Sequence, residues 1–326
     1  MRDWQYRLRE HRGTLLAVVF FVLMFAIYVG NHPAGFTANV VQTAANKGVL
    51  LALVAMAQTF VVLTAGIDLS VGTVLVLTNC LASWIVLGSP VMVALGVAGV
   101  LLTGAVCGAI SGAIVIYGRL QPIVTTIATG AIYFGIALAL RPVPGGDVDS
   151  DLADAFTSRI FGVLPASLVA LLVVVLLIWV PFRQSEIGRA AYAIGSSPAA
   201  AYMSGVPVRA ASFLVYVLSG LIAAVGGLFL TFITASGEAS AANAGSYTLF
   251  SIAAAVLGGV SLFGGSGSAI GAIFGALMFR TIGDLLFVFD LEPLWQPLFQ
   301  GVVLLAAVCL GSVRLFQIRN RLDLFE

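Results

Sequence analysis

Long apolar runs separated by short polar stretches make up most of the 326 residues. A membrane-spanning helix needs roughly 20 predominantly apolar residues, because the hydrocarbon core is about 30 Å thick. Ten runs approach or exceed this length, at 14–30, 47–65, 71–88, 91–117, 122–140, 164–182, 210–233, 248–263, 269–289 and 296–313. The pattern predicts an all-α, polytopic membrane protein with about ten transmembrane helices, in a single domain that covers residues 1–326.

Composition supports this fold class and excludes several functions. Hydrophobic residues make up 60% of the chain and charged residues 9%, against about 25% charged in an ordinary soluble domain. The 36 glycines fit a lipid-embedded bundle, because small residues let helices approach closely. A net charge of +1 gives no sign of a nucleic-acid partner. The predicted surroundings of the chain are membrane lipid, because of its apolar composition.

The distribution of basic residues predicts the orientation of the spans. Cytoplasmic loops carry an excess of Lys and Arg. Ten spans with a cytoplasmic N-terminus place most of the 15 basic residues on the inside: Arg2, Arg7, Arg9, Arg12, Arg119, Arg183, Arg189, Arg209, Arg314, Arg319 and Arg321. Both termini are then cytoplasmic. The first run lacks a small-residue cleavage pattern, which favours an uncleaved anchor over a signal peptide.

No catalytic or metal-binding cluster is visible. Cys80, Cys107 and Cys309 lie within apolar runs without metal-type spacing, and His11 and His32 have no clustered carboxylate or cysteine. The single lysine, Lys47, is not part of a phosphate-binding Gly-x-x-x-x-Gly-Lys-Ser/Thr loop. The chain is therefore predicted to be no enzyme and to bind no cofactor or metal. If its work is driven by ATP, another subunit must hydrolyse the nucleotide.

Two loops are long enough to carry function. The cytoplasmic loop 183–209 contains a helix signal, with Ser197 as N-cap, Pro198 at the first helical position and Gly205 at the end. Such a short helix is marginal alone in water, so either a partner packs on it or it is a plain interfacial connector. The external loop 141–163 is acidic and turn-rich, which fits a solvated connector or a docking surface.

Polar residues within or between the spans are candidate functional groups. Asp68 lies in a Gly-flanked break between two spans, where it either caps the third span or lines a path or gate. Ser70, Gln58 and Asn79 are further candidates for that path, or ordinary interhelical hydrogen-bonding groups. Arg280 and Asp284 are four residues apart on one helix, and this spacing predicts a structural ion pair.

Two matching glycine patterns suggest an internal repeat. Gly104, Gly108 and Gly112 in the fourth span have the spacing of Gly267, Gly271 and Gly275 entering the ninth. Because five spans separate them, spans 2–5 and 7–10 would form inverted repeats, as in many transporters. Tight helix packing alone could produce the same spacings.

Several motifs together resemble ribose-type, monosaccharide permeases of ATP-binding cassette (ABC) importers, a superfamily that also includes branched-chain amino acid permeases. The motifs are Gly188-Arg189, Tyr192-Ala193-Ile194-Gly195, Ala200-Ala201 and Ser204-Gly205-Val206 in the cytoplasmic loop, Gly66 to Gly72 after the second span, Ala253 to Ser268 around the end of the eighth, and Gln121 to Thr126. They extend over nearly the whole chain, and their order is specific although each alone is modest.

The resemblance implies a function and a set of partners. The chain would be the membrane-spanning subunit of an importer for a monosaccharide or related polyol in the bacterial inner membrane. It would pair with a second permease subunit, identical or not, with a cytoplasmic ATP-binding cassette subunit that holds ATP and Mg²⁺, and with an extracytoplasmic solute-binding protein. The helix from Ser197 to Gly205 would be the coupling helix, with Pro198, Ala200, Ala201 and Met203 contacting the ATPase.

One segment departs from the family pattern, and other functions stay open. Where such permeases carry a Glu-Leu-Asp-like segment, this chain has Ser246 to Ile252, without acidic groups. Either the acid is dispensable or a non-identical permease supplies it. A permease for branched-chain amino acids or for a sugar-like signalling molecule is one alternative. An ion-coupled secondary transporter is another, and Asp68 and Asp284 would then be its candidate ion sites.

Overall fold

The computed structural model describes residues 12–303, 305, 306 and 309. Within them the α-helices are α1 (Arg12–Asn31), α2 (Ala38–Val62), α3 (Val71–Ile85), α4 (Pro90–Ile116), α5 (Pro122–Leu140), α6 (Ser150–Thr157), α7 (Ala166–Val174), α8 (Val180–Gln184), α9 (Glu186–Ser196), α10 (Pro198–Met203), α11 (Val208–Thr234), α12 (Ala241–Leu257) and α13 (Ala269–Val288). A π-helical segment, Val175–Trp179, joins α7 to α8 as one continuous helix. The strands β1 (Arg159–Ile160) and β2 (Leu164–Pro165) form a short antiparallel hairpin.

The predicted all-α membrane fold is confirmed. Seven helices in the described part of the chain are long and apolar enough to cross a membrane: α1, α2, α4, α5, the continuous α7–α8 helix, α11 and α13. The apolar helices α3 and α12 are shorter. A 3₁₀ turn, Pro293–Trp295, precedes helical residues 296–303. The rest of the tenth predicted run, 296–313, and the terminal arginines lie largely outside the described residues, so the count of ten spans stays a prediction.

Two helices begin several residues before the predicted apolar runs. α2 starts at Ala38 rather than at 47, and α12 starts at Ala241 rather than at 248. Thr37 and Ser240 cap these helices by accepting the backbone N–H of Val40 and Asn243. Capping lets a polar first turn join the helix, and a hydropathy pattern cannot detect this.

The centre of the bundle is α2, which is buried along most of its length. α11 packs against α2, α3 and α4, and α13 packs against α1, α2 and α12. α1 lies at the periphery, with few buried side chains. The exposed apolar faces of α1, α4 and α5 are those expected of helices in contact with lipid.

Glycines set the closest helix contacts. A β-carbon at Gly108 of α4 would overlap the carbonyl oxygen of Tyr216 in α11, and one at Gly220 of α11 would overlap that of Gly104. Gly271 and Gly275 of α13 meet α12 in the same way. The two glycine patterns thus serve helix packing, which was the alternative to a repeat. The inverted repeat itself stays a prediction.

The loops gather at two opposite ends of the bundle. At the α9–α10 end, residues 63–70 and 258–268 lie beside α9, because the N–H of Gly265 donates to the oxygen of Leu63 and Tyr192 reaches Gly267. At the hairpin end, residues 86–89, 141–165 and 235–240 are joined, and Gly145 pairs with Gly237 as an isolated β-bridge. Successive spans therefore run in opposite directions, and the loops that follow them lie alternately at the α9–α10 end and at the hairpin end.

Candidate functional site

The short helix predicted in the loop 183–209 is present as α10, from Pro198 to Met203. The Ser197 hydroxyl accepts the N–H of Ala200 at 3.3 Å and caps it. Gly205 ends it in a left-handed conformation, with φ of +77°. α9 precedes it directly and is capped in the same way by Ser185, which accepts the N–H of Gly188 at 3.1 Å.

α10 has one anchored face and one exposed face. Ala201 is buried in a small cluster with Ala190 and Ile194 of α9 and Ala211 of α11. On the other side, Ala200 is exposed, and Tyr202 and Met203 are 75% and 88% exposed. Of the predicted contact residues, Ala201 therefore holds the helix in place instead of facing outward. Tyr202, which sequence reasoning did not single out, presents the largest exposed ring of this helix.

The last turn of α9 packs against two loops at a point that we call the three-way junction (Tyr192–Ser196, Leu63–Gly66 and Ser261–Gly267). A β-carbon at Gly195 would overlap the oxygen of Leu63 and the nitrogen of Gly265. The Tyr192 hydroxyl donates to the oxygen of Gly267 at 2.7 Å. α9 therefore contacts both loops through the backbone of Gly195, and it also contacts the second loop through the Tyr192 side chain.

The glycines of the junction have backbone shapes that other residues rarely adopt. Gly264, Gly265 and Gly267 have φ of +81°, +70° and +125°, which is the left-handed region that favours glycine. The N–H of Ser261 donates to the oxygen of Ser266 and closes the loop. Parts of three sequence motifs that are far apart in the chain, in 188–206, 66–72 and 253–268, thus form or border one junction.

Asp68 lies two residues beyond this junction and is 2% exposed. Its carboxylate accepts the Ser70 N–H at 2.9 Å, the Ser70 hydroxyl at 2.6 Å and the Ser219 hydroxyl of α11 at 3.3 Å. The Gln58 amide, in the orientation that satisfies both of its ends, donates to the backbone carbonyl oxygen of Asp68 and accepts the backbone N–H of Asp68. Asp68 therefore holds the turn before α3, while Ser70 occupies the N-cap position of that helix without a side-chain capping hydrogen bond.

The four predicted path residues do not form one site. Asp68, Ser70 and Gln58 lie together, whereas Asn79 lies further along α3, toward the hairpin end. Asn79 donates to Thr231 and to the oxygen of Ser236, and accepts the N–H of Glu238. All four side chains are buried, and none lines either of the two cavities described below. A role for them in a path would require a movement of the helices, and it stays a prediction.

The predicted ion pair between Arg280 and Asp284 is wrong. In the described part of the chain, Asp284 pairs with Lys47 of α2, at 3.7 Å from Nζ to Oδ1. Arg280 Nε is buried and has no hydrogen-bond partner there. The helix spacing places Arg280 and Asp284 on one face, but α13 packs along α2. This tertiary contact supplies the nearer cation.

The segment without acidic groups, Ser246 to Ile252, lies within α12 and contacts the Asp68 region through a hydroxyl. Thr248 Oγ1 accepts the N–H of Gly72 at 3.1 Å and donates to the oxygen of Ala244 at 2.9 Å. A neutral side chain thus joins α12 to the start of α3.

The external loop 141–163 is more ordered than a solvated connector. Arg141 donates to the Ser83 hydroxyl at 2.9 Å and to its carbonyl oxygen at 2.7 Å, and its guanidinium lies over the Trp84 ring. Asp149 caps α6 by accepting the N–H of Leu152. The remaining acids, Asp147, Asp151 and Asp154, are exposed. Whether they dock a partner stays a prediction.

Comparison with known proteins identifies the family. The profile of the family described as "Branched-chain amino acid transport system / permease component" matches residues 40–308, a span that runs from the first turn of α2 to beyond the end of α13 and contains the three-way junction. The chain belongs to this permease family. The resemblance drawn from its motifs is confirmed.

Several relatives of the permease are named as sugar import permeases. The permease is 34% identical over 295 residues to the ribose import permease protein of Haemophilus influenzae, and the alignment covers 88% of this chain and 89% of that one. It is 32% identical to the D-allose transport system permease protein of Escherichia coli, covering 90% of each chain. It is 32% identical to the fructose import permease protein of Rhizobium meliloti, covering 91% and 84%. No solved structure matches the permease.

Two substitutions at Asp68 separate hydrogen bonding from charge in the permease. Asp68→Asn keeps an acceptor for Ser70 and places an NH₂ group beside the Ser219 oxygen, so the unfolding temperature should stay close to that of the wild type. Asp68→Ala leaves buried donors without a partner, which should cost about 1–3 kcal/mol. Tryptophan fluorescence during thermal unfolding in detergent measures both. If Asn is as destabilising as Ala, the negative charge itself is required.

Proposed function

We propose that this permease is the membrane-spanning subunit of an ABC importer in the bacterial inner membrane, and that it translocates a monosaccharide or a related polyol. The observation that carries the proposal is the exposed helix α10, which is anchored through Ala201 and directly follows α9, whose last turn meets the loops before α3 and before α13. A displacement of α10 by a partner would be passed to the ends of two spans through the contacts of Gly195 and Tyr192.

The driving force in this proposal comes from outside the chain. The sequence has no phosphate-binding loop around its single lysine, so a cytoplasmic ATP-binding cassette subunit would bind ATP and Mg²⁺. Its groove would receive Tyr202, Met203 and Ala200. Both termini and the α9–α10 end would then be cytoplasmic, and the hairpin end would face outward, toward an extracytoplasmic solute-binding protein.

The sugar assignment rests on the relatives' names and on the motifs. The three relatives named above are permeases for ribose, D-allose and fructose, whereas the family description names branched-chain amino acids. A transport cycle would alternate the exposure of a path at the interface with a second permease subunit, identical or not. Uptake of labelled ribose, allose, fructose and leucine by proteoliposomes that hold the complete importer distinguishes the two solute classes.

The substitution Ala200→Arg tests the coupling role of α10. Ala200 is exposed, so the bulky cation should leave the permease folded while blocking the seat of α10 in its partner. We expect co-purification of the ATPase subunit and ATP-dependent uptake to fall at least about tenfold, which corresponds to about 1.4 kcal/mol. The unfolding temperature should not change.

Ala155→Arg is the matched control, because Ala155 is also an exposed helical alanine but lies on α6, at the hairpin end. It should retain the ATPase subunit. Unchanged co-purification and uptake in Ala200→Arg would remove the coupling role from α10. Uptake by the permease alone, driven by an ion gradient without nucleotide, would overturn the importer assignment and favour a secondary transporter.

A further inference from the structure

Two neighbouring cavities lie between α2 and α13, the helices that carry Lys47 and Arg280. The first, of about 960 Å³, is lined by α1, α2, α13 and the residues that follow α13. The second, of about 690 Å³, is lined by α2, α12, α13 and residues 296–301. Lys47, Arg280 and Gln296 line both cavities. We call them the α1 cavity and the α12 cavity.

Arg280 lies at the boundary of the two cavities, and its buried Nε donates no hydrogen bond to any described residue. Asp284, the nearest acid on its own helix, is bound to Lys47, and α12 contains no acidic residue. Ionisable groups in a membrane-spanning helix are expensive to keep there and usually mark a binding or transport site. An oxygen atom from a ligand would satisfy Arg280.

The walls of the α12 cavity combine polar and aromatic groups. Ser246, Asn243, Gln296 and Gln300 bring hydroxyl and amide groups that both donate and accept hydrogen bonds. The Tyr247 ring lies on the same wall and is partly buried. Apolar surface with a few polar groups of both kinds is typical of sites that orient small neutral ligands.

The charges around the cavities favour a neutral ligand over an anion. Lys47 and Arg280 are balanced in part by Asp284, and Asp290 and Glu292 line the α1 cavity next to them. These three carboxylates line the α1 cavity alone, and their negative charges offset the positive charges of Lys47 and Arg280, which line both cavities. A polyol in the α12 cavity instead offers oxygen lone pairs to Arg280 and hydroxyl protons to the amide oxygens of Asn243 and Gln296.

We propose that the α12 cavity, with Arg280 at its boundary, is a binding site for a neutral polyhydroxylated solute such as a pentose or hexose. That this solute is the transported one rests on the proposed function. The binding itself does not need ATP or a partner subunit, so it can be measured on the full-length permease alone.

Saturation-transfer NMR on the permease in lipid nanodiscs tests the site, with D-ribose, D-allose and D-fructose as neutral probes and D-glucuronate as the anionic one. We expect a signal from at least one neutral sugar and none from glucuronate. Arg280→Gln should weaken the binding of that sugar about tenfold or more, because it removes a charged hydrogen bond. A stronger signal from glucuronate would overturn the neutral-ligand assignment.

A cavity-filling variant keeps the test independent of Arg280. Gly245 lines the α12 cavity, and a β-carbon built there meets no heavy atom within 4 Å. Gly245→Leu should therefore fold, since it replaces a poor helix former by a good one, and should abolish the sugar signal. Gly135→Leu is the matched control, because Gly135 of α5 is also open and lies away from both cavities.

The outcomes separate this inference from the proposed function. An unchanged sugar signal in folded Gly245→Leu, or no signal with any neutral sugar in the wild type, overturns the site, whereas ATP-dependent uptake by the complete importer would still stand. Loss of the signal together with loss of the ATPase subunit from Gly245→Leu complexes would assign a structural role to this surface and would also overturn the site. Loss of the signal alone supports it.

Discussion

Gly195→Val in α9 is expected to disconnect α10 from the membrane spans. The added side chain would overlap the oxygen of Leu63 and the nitrogen of Gly265, and neither is the end of a flexible side chain that could move aside. Overpacking of this kind costs about 1–3 kcal/mol. The ratio of docked to undocked α9 should fall about 5- to 150-fold, and ATP-dependent uptake should decrease.

The measurement is uptake by proteoliposomes that contain the complete importer, compared with ATP hydrolysis in the same vesicles. Hydrolysis without uptake is the expected result, because α10 remains able to seat in its partner while its movement no longer reaches Leu63 and Gly265. Gly30→Val is the control, since Gly30 is a helical glycine of α1 with open space around it. Full uptake in Gly195→Val would show that the three-way junction does not transmit movement.

Gly108→Leu in α4 is expected to prevent stable folding of the permease. The side chain would overlap the backbone of Tyr216 and press against Gly220 in α11, and this interface extends along α4 and α11, two of the longest helices. In lipid the helices are held by close packing and interhelical hydrogen bonds, with little hydrophobic force between them. Separation of the two backbones should cost about 3 kcal/mol or more.

Fluorescence-detected size-exclusion chromatography of the solubilised protein, followed by thermal unfolding, measures this effect. We expect aggregated or degraded protein from Gly108→Leu and a normal monodisperse peak from Gly135→Leu, whose β-carbon position is open. A monodisperse Gly108→Leu permease with an unchanged unfolding temperature would contradict the close contact between α4 and α11.

The sequence alone determined the membrane fold, the family and the position of α10. A segment partitions into lipid according to its own apolar residues, without help from distant parts of the chain. The positions of the spans could therefore be predicted from the sequence within several residues. The caps of α10 act within four residues of Ser197, and Gly205 ends the helix without help from distant residues. The order of the motifs identified the family, because the motifs are spread over nearly the whole chain and their combination is specific. The early starts of α2 and α12 were missed because hydropathy does not register a polar capped turn.

The tertiary structure decided which distant groups meet. Helix spacing placed Arg280 and Asp284 on one face. Because α13 packs along α2, however, Asp284 forms its ion pair with Lys47, and Arg280 lines a cavity with its Nε unpaired in the described residues. The convergence of Gly195, Leu63 and Gly265, and the separation of Asn79 from Asp68, likewise depend on which helices pack together. A sequence pattern reports local geometry over a few residues. The partner of a buried polar group is set by close packing between segments that can lie more than a hundred residues apart.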